Sequence, residues 1–151
     1  MFIEEANLFK GLNRQLVEEI GRCCMEESHP AGAFLFTHGE SADYLYILAE
    51  GRVRLSIGEM GHIALVVGNP GDAFGWSSLV ERENYTASAE CLVPTRVMKI
   101  GKQKLASIFE RDPASGLQFY KRLATLIAQR LTDTYKLIPA AHGEKRAAPG
   151  F

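Results

Sequence analysis

Between residues 33 and 100 the chain is cut into short apolar runs by turns rich in glycine and proline, and this rhythm limits the fold more than any other feature. The runs occupy 33–37, 44–49, 52–57, 62–67, 86–92 and 95–100. Short runs recurring at roughly ten-residue spacing with turn signals between them indicate a β-sandwich or barrel. Alternation supports this: Val53, Leu55 and Ile57 fall on one face, Arg52, Arg54 and Ser56 on the other. The turns are His38-Gly39-Glu40, Glu50-Gly51, Gly58-Glu59-Met60-Gly61, Asn69-Pro70-Gly71-Asp72 and Val93-Pro94.

Helical periodicity flanks this region on both sides. Over 7–27, Leu8, Phe9, Leu12, Leu16, Ile20 and Cys23 or Cys24 recur at three- and four-residue steps, with Asn13 placed as an N-cap. Ser28-His29-Pro30-Ala31-Gly32 ends that helix. After residue 101 a short helix carries Leu105, Ile108 and Phe109, Pro113 breaks it, and a longer helix runs over 114–135. The small, polar residues 137–151 are expected to be disordered. The order helix, strands, helix predicts an α+β fold. A β-roll over 33–100 (a double-stranded β-helix, or jelly-roll-like barrel) is flanked by N-terminal helices over 7–27 and C-terminal helices over 101–136. Together these form one domain over 1–136.

Composition narrows the function classes. A chain of 151 residues, 46% hydrophobic, builds one core without metal or disulfide staples. A net charge of -1 provides no global field for nucleic acid or anionic lipid. Cys23, Cys24 and Cys91 are too few and too unevenly placed for a disulfide framework and fit a reducing compartment. No stretch reaches the ~20 apolar residues of a membrane span. The start, Met1-Phe2-Ile3-Glu4-Glu5, lacks a signal peptide's basic residues. A cytoplasmic protein is expected.

Two motifs carry more specific information. Phe36-Thr37-His38-Gly39-Glu40-Ser41-Ala42-Asp43-Tyr44-Leu45-Tyr46-Ile47-Leu48 is followed by Gly51-Arg52-Val53, and later by Pro70-Gly71-Asp72-Ala73-Phe74-Gly75. This ordered set, within a stretch of about 8–136, resembles the cyclic-nucleotide-binding domain family, which includes the catabolite-activator and FNR types of transcription regulator. The resemblance implies a phosphate-binding cassette over 74–86, with cAMP or cGMP, or another small anionic ligand, bound there. The glycines suit turns that need positive φ. Gly75 precedes Trp76-Ser77-Ser78-Leu79, a short helical turn whose first amides face an anion.

The cassette departs from the family's pattern at both polar anchors. The family reads Phe-Gly-Glu, with an Arg nine or ten residues later; the Glu holds the ribose 2′-hydroxyl and the Arg pairs with the cyclic phosphate. Here the Glu position is Trp76 and the Arg position is Tyr85. A buried guanidinium–phosphate pair is worth on the order of 2–5 kcal/mol, so its loss weakens binding by roughly 10²–10³ or more. Arg82 lies three residues upstream, either reaching in or solvated within Glu81-Arg82-Glu83-Asn84. The candidate ligand-binding residues are therefore Phe74, Gly75, Trp76, Ser77, Ser78, Tyr85 and Thr86, with Trp76 either stacking on a planar ligand or plugging the pocket. By alignment with the family, Thr134 and Tyr135 fall where the long helix meets the base.

That helix places Leu117, Tyr120, Ala124, Ile127, Leu131 and Thr134 on a coiled-coil-like seam. The family's matching helix forms a dimer interface, so a homodimer through 114–135 is expected. The alternative is packing on the chain's own barrel, through Leu123, Leu126 and Arg130. His29, His38, His62 and His142 are dispersed, which argues against a cupin-like metal enzyme, and the cysteines do not match a four-thiolate iron–sulfur site. Neither a nucleophile–base pair nor a P-loop is present, so no enzymatic activity is expected. About fifteen residues follow the long helix, too few for a helix-turn-helix, so direct DNA binding by this chain is not expected. Two readings stay open: a stand-alone sensor of a small molecule, signalling through its long helix to a dimer or a protein partner, and a degenerate, non-binding interaction module.

Overall fold

A computed structural model of the chain describes residues 3–57 and 63–137. The elements are α1 (Arg14–Cys23), β1 (Met25–His29), β2 (Phe34–Phe36), β3 (Tyr44–Glu50), β4 (Val53–Ile57), β5 (Ile63–Val67), β6 (Ala73–Phe74), β7 (Ser88–Cys91), β8 (Thr95–Gly101), α2 (Lys102–Arg111) and α3 (Pro113–Leu137). Short 3₁₀ turns occupy Ile3–Glu5, Asn7–Phe9 and Trp76–Ser78. The strands form two antiparallel four-stranded sheets, ordered β1-β8-β3-β6 and β2-β7-β4-β5. This is the β-roll that the strand rhythm predicts.

The first sheet separates two cores, and strand periodicity explains how. Side chains alternate across a strand, so β3 sends Leu45 and Ile47 toward the helices and Tyr46 and Leu48 into the roll. On β6, Ala73 joins the helical core and Phe74 the roll. On β8, Ile100 and Val97 divide in the same way. The helical core is completed by Leu16, Val17 and Ile20 of α1, Leu105 and Ile108 of α2, and Phe119 and Leu123 of α3. Phe9 and Phe119 stack there, ring centroids 5.5 Å apart. Burying such large side chains is worth roughly 1.5–3 kcal/mol each.

Asn13 starts α1 as expected: its Oδ1 accepts from the N–H groups of Gln15 (2.8 Å) and Leu16 (3.4 Å). The single helix expected over 7–27 is corrected. It divides into the turn at Asn7–Phe9, α1, and the strand β1, which pairs with β8 from Met25↔Lys99 to His29↔Thr95. Residues 28 and 29, read as a break, belong to that strand. β1 is polar because it lies at a sheet edge, where ion pairs replace burial: Glu26 with Arg96 at 2.9 Å and Glu27 with Lys99 at 3.0 Å. The two-residue strand β6 was also not expected. Pro113 opens α3 rather than merely ending α2; its missing N–H costs nothing at a first helical position. The expected turn over 58–61, His62, His142 and the tail beyond Leu137 lie outside the described residues.

Gly51 turns β3 into β4 at φ +109°, and a Cβ there would lie 2.5 Å from Thr95 Oγ1. The turn therefore excludes side chains both by conformation and by space. Among the described residues, no helix is long and apolar enough to cross a membrane.

Candidate functional site

The strand–turn–helix passage after β6 positions the site. Phe74 is fully buried in the roll, and Gly75 follows in the left-handed region at φ +75°, reversing the chain into the Trp76–Ser78 turn. The aromatic cluster of Phe36, Tyr46 and Phe74 leaves no slack here: a Cβ on Gly75 would sit 3.2 Å from the Tyr46 ring. The far end of the cassette is tied down by backbone bonds to the β2–β3 turn. Tyr85 N–H donates to Glu40 O at 2.9 Å, and Gly39 N–H donates to Tyr85 O at 2.9 Å.

A half-open cavity of about 280 Å³ lies between these segments and α3. Gly75, Trp76, Ser77, Tyr85, Thr86 and Thr134 line it, joined by Phe36, Leu55 and Leu65 from the roll and Ile127, Arg130 and Leu131 from α3. Of the residues expected at the site, Phe74, Ser78 and Tyr135 do not line the cavity. Phe74 supports it from behind, the Ser78 hydroxyl is spent on Gly75 O at 3.1 Å, and Tyr135 lies further along α3. Arg82 is exposed and also does not line it. A cleft of about 370 Å³ beside Asp43 and Lys102 is larger, but those two side chains already face one another at 3.7 Å.

Tyr85 is built into the wall. It is 5% exposed, and its ring stacks on Phe36 with centroids 3.9 Å apart. Its hydroxyl donates to Tyr44 O at 2.7 Å and accepts from Tyr44 N–H at 3.2 Å. Burial pushes the phenol up to about 12, with the charges of Asp43 and Glu40 acting in the same direction. Where the family carries a guanidinium, this chain therefore has a neutral, fully engaged phenol. Ser77 Oγ and Thr86 Oγ1 stand 3.5 Å apart at the cavity edge. The Thr134 hydroxyl donates to Arg130 O at 2.8 Å, inside its own helix.

Along the seam expected on α3, Leu117 and Tyr120 are 60% and 41% exposed, and Ile127, Leu131 and Thr134 also line the cavity. Sequence reasoning also left Arg130 to barrel packing. In the structure its Nη2 donates to Ala73 O at 2.8 Å and its guanidinium carbon lies 5.0 Å from the Trp76 ring centroid, a cation–π contact. Its spacing of three and four residues from Ile127 and Thr134 was the one signal that could have placed it there.

Among the described residues, no group of three or more His, Cys, Asp or Glu side chains could hold a metal ion. Burial pushes the Cys24 thiol up to about 11, with the neighbouring Cys23 adding to the rise, so this thiol stays protonated and unreactive.

Comparison with known proteins agrees with this architecture. The family model described as "Cyclic nucleotide-binding domain" matches residues 26–112. The cyclic AMP receptor protein of Thermus thermophilus is 28% identical over 128 residues, covering 83% of this chain and 57% of that protein. Glutaminase 1 of Bradyrhizobium diazoefficiens is 27% identical over 131 residues, covering 85% of this chain and 21% of that one. The chain thus spans less than two thirds of these relatives. Among solved structures, a candidate cyclic nucleotide-binding protein from Geobacter metallireducens superposes with a TM-score of 0.73 and 31% identity, covering 83% of this chain and 92% of its own. With the family model matching more than half of its length and the roll, cassette turn and long helix all in place, this chain belongs to the cyclic nucleotide-binding domain family.

Proposed function

We propose that the chain is a regulatory domain that takes a small ligand into the cavity between roll and α3 and signals through that helix. The observation that carries this reading is the cavity itself: the cassette turn and Thr86 meet Thr134 and its neighbours on α3 around one half-open, mostly apolar space. Because Ile127, Arg130, Leu131 and Thr134 belong to the wall, an occupant touches α3 directly. It can therefore favour one placement of the helix over another, provided that it binds the two placements differently. The role is regulatory rather than catalytic, and the three free thiols suit a reducing cytoplasm. The exposed Leu117 and Tyr120 support a homodimer through the first half of α3. A second reading, a non-binding interaction module, is favoured by Tyr85, whose hydroxyl closes on Tyr44 rather than on a ligand.

Titration calorimetry with cAMP and cGMP tests the proposal. Saturable heat at micromolar nucleotide assigns the ligand and shows that amides and hydroxyls suffice without the family's Glu and Arg. No heat at millimolar nucleotide, with no metabolite raising the melting temperature, supports the interaction module instead.

A further inference from the structure

Arg130, a residue of the cavity wall, carries an unused donor beneath the surface of that wall. Arg130 Nη1 is buried and has no hydrogen-bond partner among the described residues. A buried N–H of a charged group without an acceptor is costly, so a ligand acceptor toward which the guanidinium can turn is favoured. The acidic groups that act on Arg130 are Asp72 and Asp133, but each is engaged elsewhere. Asp72 accepts from Asn7 at 2.8 Å and Asp133 from Gln129 at 3.0 Å. Neither forms an ion pair with Arg130 among the described residues. The guanidinium is held in position from two sides, by Ala73 O and by the Trp76 ring, and remains charged because arginine does not deprotonate in proteins.

We infer that Arg130 is the anion anchor of this cavity and that the ligand is a small organic acid, one carboxylate on an apolar or aromatic body. The inference rests on the reading of the cavity as a ligand site and names its chemistry. Among the described residues that line the cavity, Arg130 is the only charged one, and a single guanidinium balances a single negative charge. Leu55, Leu65, Ile127 and Leu131 offer the rest of a ligand no hydrogen bonds, and Trp76 offers a flat ring. A ribose needs hydrogen-bond partners that these apolar side chains do not supply, whereas a hydrocarbon or phenyl group needs none. The volume of about 280 Å³ falls just below the roughly 300–1,000 Å³ usual for ligand pockets, and this favours a compact acid.

Calorimetry on the full chain with phenylacetate and octanoate, each beside its neutral amide, and with cAMP tests this. Trp76, the only tryptophan, gives a second readout by fluorescence. The expected result is that an acid binds at least about 10-fold tighter than its amide and that R130M weakens the acid by about 10- to 100-fold while leaving the amide unchanged. R130K, which keeps the charge, should retain part of the preference and guards against misfolding of R130M. Acid and amide binding alike, or acid affinity unmoved in a folded R130M, overturns the anion anchor but leaves the ligand cavity standing. If neither acids, amides nor cAMP bind, both the anchor and the ligand-site reading fail.

Discussion

Replacing Tyr85 with phenylalanine removes one oxygen from the wall and nothing else, so its effect can be worked from the structure. The hydroxyl makes two hydrogen bonds to Tyr44, donating at 2.7 Å and accepting at 3.2 Å. A net hydrogen bond is worth about 0.5–1.5 kcal/mol, and a buried group left unpaired costs about 1–3. The ring, its stack on Phe36 and the packing all stay. The expected loss is therefore about 2 kcal/mol, which moves the urea midpoint by about 1 M at an m-value near 2 kcal/mol/M. The pH dependence gives a second check. Tyr85 ionises near 10 when unfolded and is pushed up to about 12 in the fold by burial. A folded pKa above the unfolded one gives stability that is complete below pH 10 and is lost as pH rises from 10 to 12. Tyr85→Phe has no such proton and should flatten that part of the alkaline stability profile. Denaturant melts of both proteins between neutral pH and pH 11 measure both effects. A midpoint unchanged at neutral pH, with identical alkaline slopes, would refute the claim that the hydroxyl is locked onto Tyr44.

Gly51→Ala forces an alanine into φ +109° and a Cβ to 2.5 Å from Thr95 Oγ1, so a loss of about 1–3 kcal/mol or more is expected in thermal melts; a neutral result would mean that the β3–β4 turn relaxes freely. The double variant Trp76→Glu with Tyr85→Arg restores the family's two anchors and should raise cAMP affinity by about 10²-fold in calorimetry, in protein that circular dichroism shows to be folded. No gain would mean that these two positions are not what separates this cavity from a nucleotide site. Leu117→Lys with Tyr120→Lys should convert a dimer to a monomer in analytical ultracentrifugation. A wild-type chain that sediments as a monomer would reject the proposed seam.

The roll was legible because its interior strands alternate. Val53 and Leu55 against Arg54 announce which face is buried, and the structure buries the first two while leaving Arg54 at the surface, paired with Glu90. Strand β1 was illegible for the opposite reason: Met25-Glu26-Glu27-Ser28-His29 contributes backbone and charge, not apolar surface, to the sheet edge. Strand β6 was too short for any period to show. The cassette turn could be located because Gly75 must take a positive φ there. Arg130 could not, because its role comes from a distance across the fold: it is 57 residues from the carbonyl it bonds. A period of three and four places residues on one helical stripe but not at a neighbour, which is why the stripe on α3 did not announce that Ile127, Leu131 and Thr134 line the cavity.

That placement bears on how the domain works. The first half of α3 is anchored by Phe119 and Leu123 in the helical core, while the second half reaches the cavity through Ile127, Arg130 and Thr134. Arg130 joins the two by holding Ala73 O, on the strand whose next residue, Phe74, lies in the roll. A ligand that drew the guanidinium toward itself would have to lengthen or break that bond, and the cation–π contact with Trp76 would change with it. The cassette turn and α3 therefore cannot respond independently. Because Leu123 fixes the helix just ahead of the cavity, any resulting motion should be a pivot of the segment beyond it, including the exposed Leu131 and Tyr135, rather than a shift of the whole helix. Hydrogen exchange with and without a bound acid distinguishes the two. Protection changing only beyond residue 126 supports the pivot, and a uniform change along α3 rejects it.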